Sequence, residues 1–107
     1  VSERRENLLF ETIRALKEYG KTPEDIEFFQ AVGGALELKT CDWAGFVAYA
    51  ETHFASYYPG HGSQEVPAAL VIVGSNWWLE RSEYDGAEWW SFKQKPEPHR
   101  KVRKVRT

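Results

Sequence analysis

Residues 77–92, WWLERSEYDGAEWWSF, leave the chain few conformational choices. Asp85-Gly86 is a preferred two-residue type I′ turn, because both central positions need positive φ and this pair tolerates it. Strong β-formers flank it on both sides. With the turn fixed, so is the register: Tyr84 opposes Ala87, Ser82 opposes Trp89, Leu79 opposes Phe92 and Trp78 opposes Lys93. Alternation then sorts the side chains. Trp77, Leu79, Trp90 and Phe92 share one face, expected to meet the core, and Trp78, Tyr84 and Trp89 share the other with Glu80 and Ser82. Four of the five tryptophans lie in this hairpin. One aromatic set builds the core, and the other is either covered by a second layer or free to bind.

The rest of the chain supplies partners for that hairpin. Leu9, Ile13 and Leu16 recur at helical spacing, predicting an amphipathic helix over 3–19 capped by Ser2 and stopped by Gly20. Thr22-Pro23-Glu24-Asp25 has the composition of a helix start, but IEFFQAVGGALELKT alternates. The segment predicts one helical turn followed by a hairpin with Gly33-Gly34 at its tip, Ile26, Phe28 and Gln30 on one strand face, and Leu36 and Leu38 on one face of the next. Asp42 is an N-cap for a second helix, whose stripe is Phe46, Val47, Ala50 and Phe54. YYPGHGSQEVP, residues 57–67, is a loop long enough to suspect of function. ALVIVG is apolar enough for a central strand or one covered on both faces, and Ser75-Asn76 turns the chain into the tryptophan hairpin. The expected fold is α+β: two helices packed on a mainly antiparallel sheet of about five strands, forming one domain over 1–94 and followed by a basic tail over 95–107.

A chain of 107 residues with 15% aromatic content can bury a core without staples. Cys41 is its one cysteine, so an internal disulfide scaffold is excluded and a reducing compartment is expected. No apolar run is long enough to span a bilayer. The amino-terminal stretch is too charged to read as a signal peptide, so a soluble, intracellular protein is expected, with no membrane partner. Charge is unevenly distributed: residues 93–107 carry +6 and the remaining residues −8. The acidic body repels nucleic acid, whereas a tail with Arg100, Lys101, Arg103, Lys104 and Arg106 could hold phosphates or act as a strap. Val102 and Val105 favour a strap, laid on the same copy or reaching into a neighbouring one in a homo-oligomer.

Catalytic chemistry finds little support. His53, His61 and His99 fit no standard ligand spacing, so no metal or other cofactor is expected. Cys41 beside Asp42 sits where a helix start would activate a thiol, but a lone cysteine is far more often a packing residue. Glu80 and Glu83 point to opposite strand faces, and Asp85 and Glu88 flank a tight turn, where carboxylates are ordinarily solvated. No phosphate loop, nucleophile triad or paired-cysteine motif is present, and the expectation is a protein that is not an enzyme.

The stretch VGSNWWLERSEYDGAEWWSFKQKP, with the TPEDIE segment at 22–27, resembles a signature of small uncharacterised proteins encoded by phages and prophages. Together the two stretches cover roughly a third of the chain. The central loop and the basic tail depart from that pattern. The resemblance implies a mobile-element origin, a bacterial cytoplasm and a non-enzymatic accessory protein that binds a host or phage protein, extending by analogy to inhibition of a host defence nuclease in the manner of anti-CRISPR proteins. Trp78, Trp89, Tyr84 and Glu80 are the partner-binding candidates, since indole combines large apolar area with a donor. The alternative is a nucleic-acid-binding accessory protein using the tail and stacked tryptophans. Sugar binding on the same tryptophans is a third reading.

Overall fold

In a computed structural model that describes residues 5–60 and 64–96, the chain forms two helices packed on one five-stranded antiparallel sheet. Helix α1 (Leu8–Glu18) leads through a 3-10 turn (Pro23–Asp25) into β1 (Ile26–Ala31) and β2 (Leu38–Thr40); helix α2 (Trp43–His53) leads to β3 (Val71–Gly74), β4 (Trp77–Tyr84) and β5 (Ala87–Gln94). The strand order is β2-β1-β3-β4-β5, which leaves β2 and β5 at the edges.

Helix α1 starts later than its periodicity suggested. Its N-cap is Asn7, whose side chain accepts the Phe10 N–H at 3.0 Å, while Ser2 lies outside the described residues. The end is a Schellman motif: Lys21 N–H reaches the Leu16 carbonyl at 2.8 Å, Gly20 N–H reaches that of Lys17 at 3.1 Å, and Gly20 adopts φ +71°. The buried stripe also differs from expectation. Leu8, Thr12 and Leu16 face inward, Leu9 is half-buried, and Ile13 is 43% exposed. The helix is rotated because Thr12, not Ile13, meets the sheet: its hydroxyl donates to the Leu8 carbonyl and accepts the Trp90 indole N–H at 2.9 Å.

Thr22 and Asp25 close a capping box around the 3-10 turn, and β1 pairs with β2 as expected. The hairpin tip is wider than two residues, since Ala31 pairs with Leu38 and Gly33 and Gly34, both at positive φ, sit within the connection. A register irregularity between Ile26 and Phe28 separates their faces: Ile26 packs against the core and Phe28 does not. Asp42 caps α2 by accepting the Ala44 N–H at 2.9 Å. Phe46, Ala50 and Phe54 are buried as the stripe predicted, with Tyr49 beside them. Phe46 stacks on Phe29 at 4.8 Å. Gly45 allows close approach of the helix to β2, since a Cβ there would lie 2.9 Å from Thr40 Oγ1.

The tryptophan hairpin has the register its turn dictates. Tyr84 pairs with Ala87, Ser82 with Trp89, Leu79 with Phe92 and Trp78 with Lys93, with Asp85 at φ 54° and Gly86 at φ 90°. β3 is central in the sheet, but only Ile72 and Gly74 are buried, while Val71 and Val73 are half-exposed. Among the described residues both helices lie on the face that holds Phe29, Ile72, Leu79 and Trp90. Among the described residues, no helix or strand packs on the opposite face.

Candidate partner-binding face

Strand pairing alone assembles this face. Phe28 opposes Val73 and Val73 opposes Trp78, giving an apolar row across β1, β3 and β4 that ends at Lys93 of β5. The neighbouring row runs Lys39, Gln30, Val71, Glu80 and Ser91. Beyond it come Ser82 with Trp89, then Tyr84 with Ala87. All four binding candidates, Trp78, Glu80, Tyr84 and Trp89, are thus on one face, the face away from both helices. Trp89 is 43% exposed and Tyr84 76%, while Trp78 is partly shielded.

The polar groups on the face are arranged around Trp78. Its indole N–H donates to Glu80 at 2.8 Å, and the other oxygen of that carboxylate lies 3.6 Å from Lys93 Nζ. Indole, carboxylate and ammonium therefore hold one another in place on β4 and β5. This limits the rotamer entropy Trp78 would lose on binding. The tail candidates Arg100, Lys101, Arg103, Lys104 and Arg106 lie outside the described residues, as do His61 and His99.

The opposite face of the same hairpin holds a charged cluster that was not anticipated. Glu88, expected to be solvated beside the turn, is buried. The register explains it, because Glu88 shares the inward face with Trp90 and Arg81. Its carboxylate accepts the backbone N–H groups of Glu65 at 2.6 Å and Val66 at 3.1 Å, and Arg81 Nη2 at 3.0 Å. Arg81 Nη1 also donates to Glu11 at 3.0 Å, Nη2 donates to the Tyr57 hydroxyl, and that hydroxyl donates to Glu11. The guanidinium lies over the Trp90 ring, 4.8 Å from its centroid. Burial raises the Glu11 carboxyl above its ordinary range despite the opposing charge of Arg81. Burial raises the Tyr57 hydroxyl too. For Arg81, the negative neighbours outweigh the burial that would lower it, so it stays charged. The signal for this cluster was in the alternation, which places Arg81 and Glu88 on the core face two positions from Leu79 and Trp90.

The described ends of the 57–67 segment, residues 57–60 and 64–67, are anchored at this cluster. Tyr57 and Val66 are buried, and Pro59 accepts the Glu88 N–H at 2.7 Å. Cys41 is exposed instead of packed, and His53 is exposed beside Tyr49. Among the described residues no three His, Cys, Asp or Glu side chains converge as metal ligands, and no helix is long and apolar enough to cross a membrane. Comparison with protein-family models, curated proteins and solved structures finds no match.

Proposed function

We propose that this is a non-enzymatic binding protein whose partner is another protein, engaged through the open sheet face around Trp78, Glu80, Tyr84 and Trp89. The observation that carries the proposal is the one-sided layering of the sheet. Large aromatics project from a hydrogen-bonded sheet with no other described element packed over them, and contiguous exposed apolar surface of this kind is typical of interaction sites. Tryptophan and tyrosine also dominate the energetics of protein interfaces. The buried ionisable cluster offers no competing catalytic reading, since the Arg81 and Glu88 side chains have no solvent exposure and their charges answer one another.

The phage-type resemblance sets the finer part of the proposal: a partner from a bacterial host, with a defence nuclease as the class to try first. The predominance of acidic charge in residues 1–92 is compatible with competition for a groove that normally holds nucleic acid.

Capture from bacterial lysate tests the proposal, comparing wild type, Trp78→Ala/Trp89→Ala, and Phe10→Ser/Ile13→Ser on the exposed surface of α1. The expected result is a partner held by wild type and the helix variant and lost by the tryptophan variant. Equal retention by all three chains sinks the open-face reading. Binding of single-stranded DNA with steep salt dependence, unchanged in the tryptophan variant, would replace it with the nucleic-acid alternative.

A further inference from the structure

The geometry points to the free edge of β5 as a docking site for an extended acidic segment of a partner protein, added as a sixth strand. This deepens the protein-binding reading above and rests on it. In a two-residue hairpin closed by Tyr84 and Ala87, residues 87, 89, 91 and 93 exchange backbone hydrogen bonds with β4, so the N–H and C=O groups of 88, 90, 92 and 94 point away from the sheet. The edge already accepts a strand at one end. Glu88 N–H donates to the Pro59 carbonyl at 2.7 Å, and Gly60 forms an antiparallel bridge with Ala87. Beyond that point, among the described residues, no backbone group bonds the outward side of Trp90, Phe92 or Gln94. Those three residues are a pairing-competent edge about one short strand long.

Charge selects the occupant. Lys93 lies within the free stretch and Lys95 just beyond it, and Lys21, whose ammonium lies 5.4 Å from the Trp77 ring centroid, is close by because Trp77 pairs with Gln94. Glu80 answers only Lys93. A second copy paired edge to edge would bring two sets of these lysines together, and lysine at an edge is a common device against such self-pairing. The residues 97–107 of this chain are themselves strongly basic. An acidic strand suffers neither repulsion. Along the edge its open-face side chains would meet Trp89, Ser91 and Lys93 in turn, which fits an apolar residue, a small one and a carboxylate at alternate positions. Backbone pairing would supply affinity and these side chains specificity, as in other cases of strand addition.

Amide hydrogen exchange of the full chain, read by NMR, tests this. The probe is a blocked synthetic peptide alternating Glu with Val and Thr, with a control peptide carrying Lys for Glu. In the free chain the amides of Trp90, Phe92 and Gln94 should exchange faster than those of Trp89, Ser91 and Lys93. The Glu peptide should slow the first three by about tenfold or more, and the Lys peptide should not. Lys95→Glu should weaken binding about tenfold, and Gln94→Pro, which removes one outward donor at an exposed site, should weaken it similarly. The proposal is overturned if the three amides are already slow in the free chain, if the Glu peptide leaves them unchanged, or if both peptides act alike. Trp78→Ala separates this proposal from the broader one, since Trp78 lies one strand in from the edge. Loss of lysate capture in Trp78→Ala, with no peptide protection at the edge, leaves the open face standing and removes the edge. Protection at the edge with capture unaffected by Trp78→Ala/Trp89→Ala does the reverse.

Discussion

Arg81 and Glu88, whose side chains are both inaccessible to solvent, meet at 3.0 Å across neighbouring positions of the tryptophan hairpin. The same guanidinium reaches Glu11 of α1, and the same carboxylate holds the N–H groups of Glu65 and Val66. One ion pair therefore ties the hairpin to α1 and to residues 65–66. Removing the cation would leave the buried Glu88 side chain without its ion-pair partner. Arg81→Met should cost about 3–5 kcal/mol, the usual penalty for breaking a buried pair from one side. Urea denaturation midpoints would measure it, and a cost under 1 kcal/mol would mean that the cluster relaxes into water.

Glu11 gives the cluster a pH dependence of definite sign. Burial raises its carboxyl above the ordinary value of 4.5, so the folded protein binds its proton more tightly than the unfolded chain does. This contribution to stability is fully present below pH 4.5 and is lost as pH rises through the raised value. Relative to Glu11→Gln, wild type should therefore lose stability as pH rises from 4.5 through the raised value. Denaturant midpoints of both proteins across that interval would test it, and a difference that is flat or rises with pH would contradict the assignment.

The two faces of the hairpin should respond differently to the same substitution. Trp90 is 7% exposed and bonded to Thr12, whereas Trp89 is 43% exposed. Trp90→Ala should cost ~3–5 kcal/mol through lost transfer energy and the cavity left behind, and Trp89→Ala well under half of that. If Trp89→Ala proves the more damaging in thermal and urea melts, the faces are exchanged and the binding surface moves with them.

Gly74 should tolerate no side chain. A Cβ there would fall 2.1 Å from Cε2 of the Trp77 indole, itself buried against Phe92 at 6.0 Å. Gly74→Ala should cost about 1–3 kcal/mol by forcing the ring or the strand to shift. Near-UV circular dichroism would report the displaced indole, and an unchanged spectrum with unchanged stability would refute the close packing.

Local geometry, which short-range chemistry dictates, was legible in the residues alone. Asp85-Gly86 fixed the hairpin register because few residue pairs accept positive φ at both turn positions, and a fixed register decides every face along both strands. Asp42 and Gly20 marked helix ends for similarly local reasons. Long-range contacts set the rest, and they exist only once the elements are docked. Ile13 satisfied the helical period as well as Thr12 does, but only the docked sheet, with Trp90 seeking an acceptor, selected Thr12. Glu88 looked solvated because its anion-binding partners come from 65–66 and from Arg81, and the backbone N–H groups of 65–66 have no signature in sequence. The open face belongs to the same class. Alternation separated Trp78 and Trp89 from Trp77 and Trp90, but it could not say where the helices would pack, because that depends on the relative positions of elements far apart in the chain. Placing both helices over Phe29, Ile72, Leu79 and Trp90 is what leaves Trp78, Glu80, Tyr84 and Trp89 without a covering layer among the described residues.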